Sequence, residues 1–322
     1  MYDRYVMGLI MQIKYKQIRR YIAIGLKGEF MIDIFESISY KSDEPLKKHT
    51  TMRVGGNAKY IFYPKDAAEI KAIIDYCNDN NERYIVIGNG SNIIFMDDGY
   101  DGIVIKIFNL MSNYSVEGDL IKADAGCILS KIANAAKDNS LTGMEFAAGI
   151  PGTLGGAVVM NAGAYGGEMK DIIEYADILS RDGVIKRYSN KEMEFGYRKS
   201  IIDKDKIVLS AGLRLKNGDK SEIEKIMLEL KEKRTSKQPL EYPSSGSTFK
   251  RPEGYFAAKL IEDAGLKGYR VGGAMVSPKH SGFVINYDNA TSSDVIMLIE
   301  DIKKIVNEKF GVCLEPEVKI IR

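Results

Sequence analysis

The sequence predicts an α+β fold in more than one part, and three observations carry that prediction. Strand-like and helix-like segments alternate along the chain, but without the regular spacing of a doubly wound sheet. The texture changes after NGDK (217–220), where a strand-rich stretch gives way to a charged helix and then a Pro/Ser/Gly-rich break. At 322 residues, 45% hydrophobic and 28% charged, the chain is long enough for two or three ordinary globular domains.

The elements follow in order. YIFYP (60–64) reads as a strand, and DAAEIKAIIDYCNDN (66–80) reads as a helix. Asp66 and Glu69 make a capping-box-like start, and Ile70, Ile73, Ile74 and Cys77 share one face at helical spacing. RYIVIGNGSNIIF (83–95) is strand, glycine turn, strand. The β signal continues through GIVIKI (102–107), LIKADAG (120–126), YADILS (175–180), GVIKRY (183–188) and KIVLSAGLRL (206–215), with a helix at ILSKIANAAKDNS (128–140). SEIEKIMLELKEKR (221–234) is a charged amphipathic helix, and FAAKLIEDAGLKG (256–268) is a helix ended by Gly265. HSGFVIN (280–286) is a strand, and SSDVIMLIEDIKKIVNEKF (292–310) is a long helix with serine caps, stopped by Gly311. VCLEPEVKI (312–320) closes the chain as an edge-like strand. The expected division is a basic extension at 1–30, a first domain at 31–220 split near 110–120, a second domain at 221–311 and a terminal strand at 312–322.

Composition removes several function classes. No apolar run approaches the ~20 residues that a spanning helix needs, so no integral membrane protein is expected. Cys77, Cys127 and Cys313 are odd in number and widely spaced, which excludes a disulfide framework and a thiolate zinc site; no metal is expected. Free thiols fit a reducing, cytoplasmic setting. Residues 1–30 carry six bases against Asp3 and Glu29, a charge of +4, which leaves −2 on the remainder of a chain of net charge +2. That leader lacks the uninterrupted apolar run of a secretory signal, and reads as an ancillary extension or as sequence preceding a true start at Met31. The body shows no basic stripe, so no nucleic-acid partner is expected.

Two segments are dense in glycine. GNGSN (88–92) follows an apolar strand, and GIPGTLGGAVVMNAGAYGG (149–167) holds seven glycines. Glycine lets the backbone approach a ligand and frees N–H groups to cradle phosphate, so a nucleotide or cofactor pyrophosphate site is expected. It is not a standard one. Ile93 stands where a dinucleotide fingerprint wants its third glycine, and no GxxxxGK[ST] occurs. A third segment, EYPSSGSTFKRP (241–252), crowds Ser244, Ser245 and Ser247 around one glycine. A nucleophilic serine needs a base, most often histidine, and the chain has only His49 and His280, both read as structural.

HTTMRVGGNA (49–58), GNGSNIIF (88–95), GIPGTLGGAVVMNAGAYGG, FGYRKSIID (195–203), SSGSTFKRP (244–252), LIEDAGLKG (260–268) and LEPEVKI (314–320) occur in this order. Together they resemble the UDP-N-acetylenolpyruvoylglucosamine reductase (MurB) family of peptidoglycan synthesis, from about residue 40 to the end. Only KNGDKSEIEKIMLELKEKR separates LRL from TSKQP, so the likeness is to the short form, which lacks a long insertion there. Met52 departs from the aromatic usual in that family.

The resemblance implies a two-part FAD-binding domain of the vanillyl-alcohol-oxidase (PCMH) type, plus a C-terminal α+β substrate domain. It implies non-covalent FAD, NADPH as co-substrate, a UDP-sugar substrate, and an enzyme expected to work as a cytoplasmic monomer. Gly88, Asn89, Gly90, Ser91, Asn92, Gly149, Ile150, Pro151, Gly152, Thr153, Gly155 and Gly156 would wrap the cofactor, with Arg53 close by. Arg198 matches the arginine that grips the substrate carboxylate, Ser247 the proton donor, and Glu317 the acid that works with Arg198. Arginine's fork suits a carboxylate and stays charged. In VCLEPEVKI, Val312, Leu314, Pro316, Val318 and Ile320 share one parity while Glu315, Glu317 and Lys319 share the other, so the acids project together. Tyr165, Arg234, Lys237, Lys250 and Lys319 are the expected substrate contacts, and Lys250 or Arg251 is expected to stabilise the serine alkoxide. The alternative is another FAD oxidase or dehydrogenase on this fold, acting on a small alcohol or hydroxy acid; the serine loop and the LEPEV terminus speak against it. A non-catalytic nucleotide-binding protein is a third class, which a colourless preparation would favour.

Overall fold

The computed structural model describes residues 33–322, so the reading of the basic leader lies outside the described residues. The first sheet holds four strands in the spatial order Tyr40–Pro45, Asn57–Phe62, Tyr100–Lys106, Tyr84–Ile87. Its first pair is antiparallel and the other two pairings are parallel. The helix Ala67–Asp79 buries Ile70, Ile73, Ile74 and Cys77, the face that the sequence marks. Asp66 caps it by accepting from the Glu69 amide at 2.9 Å, while Glu69 reaches back to the Lys65 amide. The strand Tyr40–Pro45 escaped the sequence reading. YKSDEP is polar because it lies at the sheet edge, with four of its six residues exposed.

A second, antiparallel sheet follows, in the order Ile185–Ser189, Ile173–Ser180, Lys206–Arg214, Leu120–Asp124, Tyr114–Glu117. Leu129–Asp138 is helical, as the sequence indicates, and the glycine-rich segment folds into a six-residue helix, Leu154–Val159, against Lys206–Arg214. The two sheets share one apolar core that runs from Phe62 and Ile105 through Ile121 to Leu154 and Leu213. Each such side chain contributes about 1.5–3 kcal/mol by leaving water.

A third sheet of Arg270–Val271, Ala274–Val276 and Val284–Asn286 is antiparallel and packs under the helices Ala257–Asp263 and Ser292–Phe310. The longer helix is capped by Thr291, not by the serines. Thr291 and Asp294 form a reciprocal capping box, and Gly311 ends the helix at φ +68°. This second core, built on Ile261, Val284, Leu298 and Ile302, also takes in Met52 and Val54 from the HTTMRVGG loop. Met52 thus faces the C-terminal part.

The helix Lys220–Lys237 is less amphipathic than its sequence suggests. Ile223 is its one buried residue, and Leu228 stays 53% exposed. It packs on Leu129–Asp138 and on the turn Glu145–Ala147. The terminal strand is shorter than expected: Lys319–Ile321 pairs in parallel with Ile93–Phe95, bringing the chain end back to the first part. Asp97, two residues beyond that strand, ties the parts together again, because its carboxylate accepts from the Ser292 and Ser293 amides at 2.8 and 3.0 Å.

Candidate active site

An open cleft of about 630 Å³ runs between the two parts. Its walls come from five sequence-distant stretches, the 48–53 loop, GNGSN, residues 150–164, the end of the helix Lys220–Lys237 with the serine loop behind it, and the terminal segment at Glu317, with Lys106, Arg198 and Phe283 added singly. Arg53, Asn89, Ser91, Asn92, Ile150, Pro151, Arg198, Arg234, Ser247 and Glu317 all line it.

The serine loop is held on both sides. Ser244 bridges to Ile285 and Phe249 bridges to Pro316, so the loop lies between the strand Val284–Asn286 and the terminal segment. The Glu317 amide donates to the Thr248 carbonyl at 2.8 Å, which sets Glu317 beside the residue next to Ser247. Thr248 is buried and its hydroxyl accepts from the Val284 amide at 3.0 Å. Gly246, at φ +75°, makes the turn that leaves Ser247 exposed on the cleft wall. Ser245 is different: it is buried, and its Oγ has no hydrogen-bond partner among the described residues.

Arg198 sits in a tight turn closed by a Gly196–Lys199 bridge, at φ +56°. Its Nε lies 2.9 Å from Glu317 Oε1, and its Nη2 donates to the Gly163 carbonyl at 3.2 Å. The Nε–H is not aimed at the carboxylate, so this contact is an ion pair rather than a directed hydrogen bond. Burial pushes the Glu317 carboxyl above its ordinary value, against the pull of Arg198 and, more weakly, of Lys250. Arg53 (φ +58°) and Tyr165 (φ +54°) share the left-handed backbone of Arg198. Each costs of order 1–3 kcal/mol, a strain that collects at sites which over-determine it.

The glycine loops fit a cofactor. A Cβ on Gly88 would overlap the Thr153 hydroxyl, and one on Gly90 would overlap the His49 carbonyl, so only glycine lets the two segments and the 48–53 loop close up. Asn89 Nδ2 donates to the Pro151 carbonyl at 2.8 Å, joining them. Asn92 donates to the Glu317 carbonyl at 3.2 Å and accepts from the Lys319 amide at 3.0 Å, linking the same loop to the terminal strand. Gln238 Oε1, on the cleft wall, is buried without a hydrogen-bond partner among the described residues, as is Ser245 Oγ, and both fit a site that meets a polar ligand. Thr153 and Gly155 are buried beneath the cleft, where Thr153 caps the short helix at the Gly156 amide.

Four expected substrate contacts stand outside this lining. Tyr165 is 48% exposed, Lys237 and Lys319 are exposed, and Lys250 is ion-paired with Glu315. Arg251 stacks its guanidinium over Phe256, 4.0 Å from the ring centroid. Arg234 does face the cleft, with its side chain against Gly149, and burial disfavours its charge. Sequence reasoning missed Thr51, Lys106, Gln238 and the cleft position of His49. His49 Nε2 is 3.1 Å from Glu44 Oε1, and Lys106 Nζ is 3.1 Å from His49 Nδ1. His280, by contrast, packs edge-on to Phe283 and accepts from the Gly282 amide, a structural place.

Comparison with known proteins agrees with the geometry. Residues 238–321 match the family described as UDP-N-acetylenolpyruvoylglucosamine reductase, C-terminal domain, and residues 58–189 match an FAD binding domain. The chain is 53% identical over 299 residues to the UDP-N-acetylenolpyruvoylglucosamine reductase of Caldanaerobacter subterraneus subsp. tengcongensis, covering 91% of this chain and 99% of that one. The corresponding protein of Limosilactobacillus fermentum is 48% identical over 297 residues, covering 92% and 99%. Among solved structures, the Thermus caldophilus UDP-N-acetylenolpyruvylglucosamine reductase superposes with a TM-score of 0.77 at 35% identity, over 88% of this chain and 99% of that one.

Proposed function

The chain belongs to the UDP-N-acetylenolpyruvoylglucosamine reductase family, and from that premise we propose how its cleft divides the work. The protein is an FAD oxidoreductase that reduces UDP-N-acetylglucosamine enolpyruvate to UDP-N-acetylmuramate with NADPH, in peptidoglycan precursor synthesis. FAD held by the glycine loops would supply the hydride chemistry that links NADPH to C3 of the enolpyruvyl group.

The protein's task is then electrostatic. Hydride addition leaves negative charge at C2 that spreads into the substrate carboxylate, and a site must stabilise it and return a proton to carbon. Arg198 grips that carboxylate, with Glu317 setting the guanidinium from behind at 2.9 Å. Glu317, its carboxyl pushed up by burial, is able to carry a proton there and so lower the negative charge facing the enolate. Ser247 donates the proton to C2. Its hydroxyl is a weak acid, but a carbanion is a strong base, and no histidine relay is needed. Arg198 shares the cleft wall with Ser247, whereas Lys250 and Arg251 do not line it. Asn89, Ser91, Asn92, Ile150, Pro151 and Arg53 hold the cofactor, and Arg234 takes the UDP-sugar's phosphates. NADPH and a UDP-sugar as substrates support a cytoplasmic setting. No helix among the described residues is long and apolar enough to cross a membrane.

One observation carries the assignment of roles: Arg198, Ser247 and Glu317, from three distant segments, meet on one cleft with the glycine loops. An anaerobic experiment tests it. The holoenzyme is bleached with NADPH, then mixed with UDP-N-acetylglucosamine enolpyruvate, and recovery of oxidised flavin absorbance is expected within turnover time. A reduced flavin that this substrate leaves bleached overturns the reading.

A further inference from the structure

Lys106 ends the strand Tyr100–Lys106 and is only 9% exposed, yet no carboxylate among the described residues pairs with it. Its ammonium meets His49 Nδ1 at 3.1 Å and lies 5.3 Å from the Phe108 ring centroid, and it lines the cleft. The proton inventory of the group is fixed by chemistry. An ionised Glu44 accepts only, so His49 donates to it through Nε2–H at 3.1 Å. Nδ1 is then an acceptor and must be met by an N–H of Lys106. Burial would raise the Glu44 carboxyl, but its contacts to His49 and Lys41 outweigh that and hold it below the ordinary range, consistent with an anion at the far end. One donor of the ammonium is thus used on a neutral ring and two remain.

A buried cation with no counter-ion is costly, and such charges in proteins are paired or meet a ligand. The anion is identified by what stands beside it. The His49 carbonyl touches the Gly90 turn, and the Thr51 amide donates to the Gly90 carbonyl at 3.2 Å, so the Lys106–His49 pair is bolted to the GNGSN loop. We propose that Lys106 is the counter-ion of the FAD pyrophosphate, with His49 and Glu44 as positioning residues that aim the ammonium into the cleft. The proposal rests on FAD binding in this cleft, and a chain that carries no flavin at all would undo that reading first.

The test separates a ligand cation from a structural one. Lys106→Met keeps the unbranched apolar stem of the side chain and removes the charge. FAD dissociation from the holoenzyme, read by flavin fluorescence on serial dilution, is expected to increase at least tenfold. The melting temperature of the FAD-stripped full chain is expected to hold or rise, because an uncompensated buried charge has gone. Lys106→Arg, which restores the charge, is expected to return FAD affinity to within about threefold of the parent. FAD affinity unchanged in Lys106→Met overturns the proposal, and so does a parallel fall in FAD affinity and in the stability of the FAD-stripped chain. A flavin reduction potential that drops with FAD affinity intact would place the cation at the flavin ring and overturn it too.

Discussion

Ser247→Ala isolates the proton-transfer step. Ser247 is exposed on the cleft wall and makes no hydrogen bond among the described residues, so its truncation orphans no partner and opens no core cavity. The expected stability change is within about 0.5 kcal/mol. A positioned general acid contributes about 10²–10⁴ in rate, which corresponds to roughly 3–5 kcal/mol of barrier. The whole of that loss should fall on one half-reaction. In anaerobic stopped-flow measurements, bleaching of the flavin by NADPH should stay within about twofold of the parent, because the hydroxyl has no part in it. Reoxidation by the enolpyruvyl substrate should slow by two orders of magnitude or more. Equal slowing of both half-reactions would make Ser247 a structural residue, and unimpaired reoxidation would move the proton donor elsewhere.

Three further outcomes follow from contacts described above. Glu317 is protonated in the folded protein at pH values where the unfolded chain has already ionised it, so rising pH costs the fold stability from its ordinary 4.5 up through the raised value. Glu317→Gln should therefore gain melting temperature relative to the parent as pH rises through that window; a pH-independent difference would contradict the raised value. Gly88→Ala puts a methyl group onto the buried Thr153 hydroxyl, and overpacking of that kind costs about 1–3 kcal/mol. A lower flavin-to-protein absorbance ratio and a lower melting temperature are expected, and an equally stable variant with normal flavin content would refute the close approach. Asp97→Ala removes the acceptor for the Ser292 and Ser293 amides, at a cost of about 0.5–2 kcal/mol read as a lower urea midpoint. Hydrogen bonds outweigh burial in holding Asp97 below its ordinary range, so that contribution is present above 3.8 and is lost as pH falls through the lowered value. A mutant–parent gap that persists in strong acid would count against it.

What the sequence makes legible is local. The helix Ala67–Asp79 could be read to its cap and its buried face because Asp66, Glu69 and four apolar residues at helical spacing are all inside one window. The parity of LEPEVKI separated Glu317 from Leu314 and Val318, yet parity says which face a side chain takes and not what that face meets. Glu315 and Lys319 share Glu317's parity and end at the surface, while Glu317 alone turns into the cleft. Lys106 shows the same limit from the other side. In GIVIKI it looks like the polar end of a strand, and only the packing of the 48–53 loop over it makes it a buried charge. Gln238 carries no signal of its own, because its exposure depends on where the helix Lys220–Lys237 ends against the cleft. The polar strand Tyr40–Pro45 was invisible because an edge needs no alternation.

The anchoring of Glu317 has a practical consequence. The segment that carries it is fastened by three residues of parallel pairing, Lys319–Ile321 against Ile93–Phe95, by single bridges at Pro316 and the Thr248 carbonyl, and by the Asn92 contacts to the Glu317 carbonyl and the Lys319 amide. A ladder this short opens at lower free energy than the four- and five-stranded sheets beneath it. Its opening would withdraw Glu317 from Arg198 and leave the joined Asn89–Pro151 contact in place. Pigmentation and turnover are therefore separable in this protein. Mild denaturant or storage should yield molecules that are still yellow and already idle, and a concentration taken from flavin absorbance will overcount the working enzyme.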